Sequence, residues 1–374
     1  MAQRIAFLVL LMISAGRLAS AGDRPIRLNE IQVIGTHNSY HIAPHPNVLG
    51  LIAAAAPRQA AALDYTHPPI AQQLSRLGIR QIELDVFADP EGGHYAKPSA
   101  RQVLERAGKD PGPDPDAGGR LRAPGLKVLH VPDVDFQSTA ATFVDALNEV
   151  SRWSRANPRH VPIMILVELK DEAIPTLPTR PVAFSKSELD RVDDEIRAVF
   201  ERSRILTPDD IRGASATLPE ALRDRGWPTL DSARGKVLFA LDNEGALRDR
   251  YLEGHRALEG RAMFVSVPAS HPAAAWMKMN DPVRDFERIR TLVKDGFLVR
   301  TRADADTTQA RRNDGSQRDK ALASGAQFVS TDYPEPRAEF SSYQVRLPGD
   351  ARARANPVNG QAKHGDADLE GPLK

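Results

Sequence analysis

The chain has 374 residues, 41% of them hydrophobic, which is enough for one large barrel or two smaller domains. It contains no cysteine, which excludes disulfides, thiolate catalysis and zinc–thiolate sites. Its 50 basic residues barely exceed its 49 acidic ones, so nothing in the overall charge draws it to nucleic acid or to an anionic membrane.

The first residues read as an address. Arg4 precedes an unbroken apolar run, Ile5 to Ile13, and Ala19-Ser20-Ala21 has the small-x-small pattern of a cleavage site. The run is too short to anchor stably in a bilayer. A signal peptide over residues 1–21 is therefore predicted, with a mature chain that begins near Gly22 and is secreted or periplasmic. Its removal takes Arg4 and Arg17 and no acid, so the formal charge goes from +1 to −1. No second stretch is apolar enough to span a membrane.

Ile31 to Tyr40 opens as an apolar strand that ends in Gly35, Thr36, His37 and Asn38. A His- and Pro-containing loop follows, then an alanine-rich helical stretch, Leu49 to Leu63, and a second helix, Ile70 to Leu77, stopped by Gly78. The next strand is predicted around Gln81 to Val86. From Ala88 to Pro124 glycine and proline rule out long elements, apart from a helix over Ala100 to Ala107. Leu126 to Val131 reads as a third strand, Ser138 to Ala156 as a helix stopped by Asn157-Pro158, and Ile163 to Leu169 as a buried strand. Ser187 to Arg202 is an amphipathic helix. Four more apolar runs follow, Lys236–Leu241, Ala262–Val267, Gly296–Thr301 and Gln327–Thr331, with helices over Val283 to Lys294 and Gln317 to Ser324.

Eight strands mostly separated by helices predict an α/β fold, a single-domain (β/α)8 barrel of TIM type spanning 22–348, with a loop insertion at about 88–124. An open doubly wound sheet is the alternative, but no G-x-G-x-x-G turn follows the first strand. Gly349 to Lys374 lacks apolar periodicity and is expected to be a disordered tail.

Chemistry in such a barrel gathers at the carboxyl ends of its strands. Those ends carry His37 and Asn38, Glu83 and Asp85, His130, Glu168 and Lys170, then Asp242, Arg300 with Arg302, and Asp332. Glu83 and Asp85 are two apart on a strand and share a face, where two carboxylates repel unless a cation or a proton intervenes. With Glu168 and Asn38 they form an all-oxygen set suited to a hard cation such as calcium rather than zinc. His37 and His130 are two separate imidazoles beside it, suited to removing and returning a proton at a phosphodiester.

The runs Gly35-Thr36-His37-Asn38-Ser39-Tyr40, Gly78-Ile79-Arg80 with Glu83-Leu84-Asp85, Leu129-His130 and Val167-Glu168-Leu169-Lys170 resemble the catalytic half of calcium-dependent phosphoinositide-specific phospholipase C, in its small secreted bacterial branch. Arg300 to Asp306 and Ser330 to Pro334 resemble that branch as well, and the likeness spans roughly Leu28 to Pro336. The resemblance implies Ca2+ as cofactor, with Asn38, Glu83, Asp85 and Glu168 as its ligands. It implies His37 and His130 as the catalytic pair, one stabilising the charged phosphorane and the other protonating the leaving alkoxide. Lys170, Arg300 and Arg302 become candidate contacts to phosphate or inositol, and Gly35 the backbone clearance beside the phosphate. The implied reaction cleaves phosphatidylinositol to diacylglycerol and a cyclic inositol phosphate. The implied partner is a phospholipid at a membrane or micelle surface, with no nucleic acid, acted on by a monomer. The chain lacks the membrane-targeting modules of the large eukaryotic enzymes, which leaves Leu49 to Leu63 and the Ala88 to Pro124 insertion as docking surfaces. A glycerophosphodiester phosphodiesterase is the rival reading, although the first strand of that family typically ends His-Arg-Gly. A catalytically idle barrel that binds a headgroup is the other.

Overall fold

Short β-forming runs buried on both faces alternate with helices that bury one stripe, and this pattern folds into a closed barrel. The computed structural model describes residues 24–371, so the predicted signal segment lies outside the described residues. The strands are β1 (Ile31–Thr36), β2 (Gln81–Phe87), β3 (Lys127–Val128), β4 (Ile163–Leu169), β5 (Val237–Leu241), β6 (Met263–Ser266), β7 (Ala274–Lys278), β8 (Leu298–Arg302), β9 (Phe328–Thr331) and β10 (Ala353–Ala355). All but β3 and β10 are parallel, in the order β1-β2-β4-β5-β6-β7-β8-β9, and β9 returns to β1. The (β/α)8 barrel expected from the sequence is the fold.

One of its eight strands differs from expectation. Leu126 to Val131 supplies no barrel strand: only Lys127–Val128 is extended, and it lies antiparallel on the end of β2. The parallel edge of β2 is already taken from Gln81 to Val86 by β4. The eighth barrel strand is β7, whose sequence A-A-W-M-K has no β-branched residue and two alanines, so it carries no local strand signal. No helix separates β6 from β7. The helix Leu218–Asp224, from the β4–β5 connection, packs beside β7 instead, and its Leu218 N–H donates to the Pro272 carbonyl at 2.9 Å.

The helical segments also shift in detail. Leu49 to Leu63 is two helices, Pro46–Ala55 and Pro57–Ala62, because Pro57 cannot continue the first and starts the second. The helix expected from Ser138 begins at Phe143, where the Thr142 side chain accepts from the Asp145 N–H. The insertion after β2 carries the expected helix, at Ser99–Arg106, and its Ala100 and Leu104 pack with Val48 and Phe136 beneath helix Pro46–Ala55.

The tail is ordered, against expectation. β1 and β2 meet at one register pair, Gly35 with Gln81, and β10 runs antiparallel to Ile31–Val33 on the same edge of β1 below that point. Further on, Glu370 reaches the fully buried Arg80 guanidinium, accepting from Nε at 2.6 Å and from Nη2, and also accepts from the Val161 N–H at 2.9 Å. The remaining Arg80 nitrogen donates to the carbonyls of Leu74 and Ile79, and the guanidinium lies over the Trp153 ring. Low apolar content hid this segment because its anchor is an ion pair rather than a hydrophobic face. Gly35, too, has another role than the one expected: a Cβ there would lie 2.0 Å from the Gln81 Oε1, so the glycine lets β1 approach β2 over a buried side chain.

Removing one partner of a buried ion pair leaves an uncompensated charge, which costs about 3–5 kcal/mol. Glu370→Ala is expected to lower unfolding free energy by about that amount, read by denaturant titration; a loss below about 1 kcal/mol would show that the tail does not brace the barrel.

Candidate active site

The turn that follows β1 is fixed to β2 before any functional group is placed. The Ser39 N–H donates to the Glu83 carbonyl at 2.9 Å, and the Glu83 N–H donates to Ser39 Oγ at 2.8 Å. Thr36 Oγ1 and Gln73 lock the same serine from beneath. Between these anchors Asn38 sits in the left-handed region at φ 43°, which asparagine tolerates better than most residues. His37 and Asn38 are thereby held directly beside Glu83.

Three carboxylates from three different strands converge here. One oxygen each of Glu83, Glu168 and Asp242 lies within 4.8 Å of the others. At such a spacing each ionised pair repels by roughly 3 kcal/mol even at an effective dielectric of 20. Burial first, then the neighbouring carboxylates, push the Glu83 carboxyl up to about 8 despite Arg300, and burial and Asp85 raise that of Glu168. Asp85 is fully buried two residues along β2 from Glu83, and its Oδ1 has no hydrogen bond. Lys170 Nζ bridges Asp85 and Glu168 at 3.1 and 2.9 Å.

The arrangement fits a calcium ion. Asn38 Oδ1, Asp85 Oδ1 and Asp242 Oδ1 are buried and without hydrogen bonds, and every donor in the set is oxygen. Asn38, Glu83, Asp85 and Glu168, the four residues singled out in the sequence, are brought together. Asp242, noted only as a strand end, joins them, with its Oδ2 held by Lys278 at 3.0 Å.

Each histidine of the expected pair has a carboxylate behind it, and neither carboxylate was assigned from the sequence. His37 Nδ1 lies 2.8 Å from Asp332 Oδ1, which directs Nε2 toward Glu83 at 3.7 Å. Burial and the Arg302 charge outweigh Asp332 and pull the His37 imidazole down to about 4. His130 Nδ1 lies 2.7 Å from Asp135 Oδ2, and there the carboxylate outweighs burial and raises the imidazole. Asp332 appeared among the strand ends without a role; Asp135 lies in a turn and carried no strand-end signal.

The three basic candidates separate. Lys170 lines a polar cleft of about 490 Å³ together with Glu168, Asn243 and Arg250. Arg302 lines an apolar one and stands 3.5 Å from Asp332. Arg300 lines neither of these clefts. It is buried with Nη2 on Glu83 Oε2 at 2.5 Å and Nη1 on Asn280, so it holds a carboxylate in place rather than facing a substrate. The apolar cleft, of about 640 Å³, runs from His37, Asn38 and His130 outward between Leu51, Ile52, Val134 and Leu177. Both clefts include His130.

The model of one protein family, calcium-dependent phosphoinositide phospholipase C, matches residues 26–357. The chain belongs to this family. It is accordingly an enzyme of the phosphodiesterase class with Ca2+ as cofactor. Among solved structures, the calcium-dependent phosphoinositol-specific phospholipase C of a Gram-negative Pseudomonas is similar with a TM-score of 0.51 at 16% identity, over 90% of this chain and 97% of that one. Its myo-inositol complex is similar to the same extent, with a TM-score of 0.51 at 16% identity over 88% and 96% of the two chains. The phosphatidylinositol-specific enzyme of Streptomyces antibioticus aligns over 83% of this chain and 95% of its own, at 17% identity and a TM-score of 0.49. At such identities the Pseudomonas likeness speaks for the fold. No curated protein sequence matches the chain.

If Asp85 serves the ion, Asp85→Asn should weaken calcium binding tenfold or more in isothermal titration calorimetry, with the far-ultraviolet circular dichroism unchanged. Equal affinity in the variant would remove Asp85 from the ligand set.

Proposed function

We propose that this chain is an exported calcium-dependent phospholipase C that cleaves phosphatidylinositol to diacylglycerol and inositol 1,2-cyclic phosphate. The observation that carries the reading is the pair of imidazole–carboxylate dyads, His37–Asp332 and His130–Asp135, opening on one cleft beside a carboxylate cluster that fits calcium. Asn38, Glu83, Asp85 and Glu168 would hold the ion, which supplies charge stabilisation at the phosphate and the inositol 2-hydroxyl. His37, with Nδ1–H on Asp332 and its imidazole held low, accepts the hydroxyl proton at Nε2. His130, whose imidazole is raised, returns a proton from Nε2 to the departing diacylglycerol oxygen. Lys170 and Arg302 are placed to meet the phosphate or the ring hydroxyls.

The two clefts suit the two halves of such a lipid. The polar cleft beside Lys170 offers hydrogen-bonding groups to a polyhydroxylated ring, and the apolar one offers a wall to the glycerol and acyl chains. Among the described residues no helix is long and apolar enough to cross a membrane. Contact with a lipid surface then falls to the rim of the apolar cleft. There helix Pro46–Ala55 exposes Leu51 and Ala53 to Ala55, and Ile174 is exposed on the facing loop. The insertion, expected as a second docking surface, serves here as a buttress under that helix. Export rests on the signal pattern of residues 1–21, and the chain is taken to act as a monomer.

Phosphorus NMR of the protein with phosphatidylinositol micelles and calcium is expected to show inositol 1,2-cyclic phosphate. Glycerol phosphate released from glycerophosphodiesters instead would identify the rival activity, and calcium binding without turnover an idle binding barrel. His37→Ala and His130→Ala should each reduce turnover at least a thousandfold with calcium affinity nearly unchanged. A substrate with an activated leaving group should partly rescue His130→Ala and not His37→Ala; rescue of both would reject the division of roles. Leu51→Asp combined with Ile174→Asp is expected to cut turnover on phosphatidylinositol vesicles tenfold or more, with a much smaller loss on a water-soluble short-chain analogue. Equal losses on both would place docking elsewhere.

A further inference from the structure

Beneath the two imidazoles that open on the cleft lies a third that is sealed from solvent. His41 is fully buried, with Nδ1 3.0 Å from the Tyr65 carbonyl oxygen and Nε2 3.0 and 2.9 Å from the two oxygens of Asp135. Both partners can only accept. Both ring nitrogens must therefore donate, a condition that only the imidazolium meets. A neutral ring would aim a lone pair at a carbonyl or a carboxylate with no other partner in reach, which leaves a buried polar group unsatisfied.

The surroundings hold the ring in that pose. Tyr65 stacks on it at 4.3 Å, the His41 backbone N–H donates to the Asn38 carbonyl, and the His41 carbonyl accepts from the His67 N–H. Ser138, three residues past Asp135, pairs with His41 as an isolated antiparallel bridge, so the segment carrying the carboxylate is fixed to the segment carrying the ring. Asp135 is itself fully buried, held between His41 on the inside and His130 Nδ1 on the cleft side. The other charged and titratable groups alongside are Asp85 and Lys170 facing His130, Tyr65 and His67 facing His41, and Tyr40 and Tyr65 near Asp135.

We propose that His41 is a positioning residue, a buried imidazolium that anchors Asp135 and offsets its charge, so that His130 presents Nε2 to the cleft and can still release its proton. Asp135 alone would orient His130 equally well, but an unopposed buried carboxylate would grip the His130 proton too tightly for an acid that must give it up. The second imidazolium divides that attraction. This rests on His130 acting as the proton donor, and the test separates the two ideas.

Long-range 15N–1H NMR of the calcium-loaded protein at pH 7 should show His41 protonated on both nitrogens. In His41→Gln, whose amide can still donate to Asp135, the His130 proton should bind about tenfold more tightly, moving its titration midpoint upward. Turnover should fall tenfold or more, with KM and calcium affinity unchanged. A neutral His41 in the unaltered protein, or a folded His41→Gln whose His130 midpoint stays put or moves down, would overturn the proposal. If the variant does not fold, the spectrum of the unaltered protein decides. If the His130 midpoint rises while the pH profile of turnover does not move, the positioning role stands and His130 is not the proton donor.

Discussion

Drawing four carboxylates into one end of a barrel is the constraint to which the rest of the site answers. Glu83, Asp85, Glu168 and Asp242 come from β2, β4 and the end of β5, and three cations face them: Arg300 on Glu83, Lys170 between Asp85 and Glu168, Lys278 on Asp242. With all four ionised, one negative charge is left in excess. A single divalent ion would convert the excess into one positive charge, the complement of a phosphodiester's single negative one. The cluster is thus matched in charge to an ion and its ligand together, and to neither alone.

The two dyads show how similar parts acquire different proton affinities. In each, a carboxylate receives the Nδ1 side of an imidazole and leaves Nε2 for the cleft. Burial and then Arg302 outweigh Asp332 at His37, and its imidazole falls; at His130 burial is outweighed by Asp135, and its imidazole rises. The direction in each case follows from the balance between burial, the partner carboxylate and the other charges brought alongside. Asp332 is fixed in turn by Asp304, which accepts from the Asp332 N–H at 2.8 Å and from the Tyr343 hydroxyl at 3.0 Å.

Much of this was readable from residue order because a parallel barrel gives strand ends a common destination. Gly35 to Asn38, Glu83 with Asp85, and Glu168 stand at the ends of apolar runs, and knowing the fold was enough to bring them together. β7 carries no sequence signal because a strand packed on both faces needs no β-branched residue, and Leu126 to Val131 resembles a strand because apolar runs also line turns. Asp242 and Asp332 sat at strand ends, but their partners, Lys278 and His37, are tens to hundreds of residues away. His41 and Asp135 gave no signal at all, since their meaning lies in a contact across 94 residues. The order of the tail is hidden for a related reason: Glu370 is one acid in a polar stretch until Arg80, 290 positions earlier, is placed beside it.

That last pairing has a consequence for how the molecule comes together. β10 and Glu370 cover the edge of β1 and the base of β2 with residues that leave the ribosome after every barrel strand has been made. Until they arrive, the lower half of β1 presents unpaired backbone groups to anything extended nearby. The contacts involved are among the most distant in the chain, so they form late and slowly. The final segment therefore governs the interval during which a nearly finished barrel can recruit a strand from another molecule and aggregate instead of closing on its own.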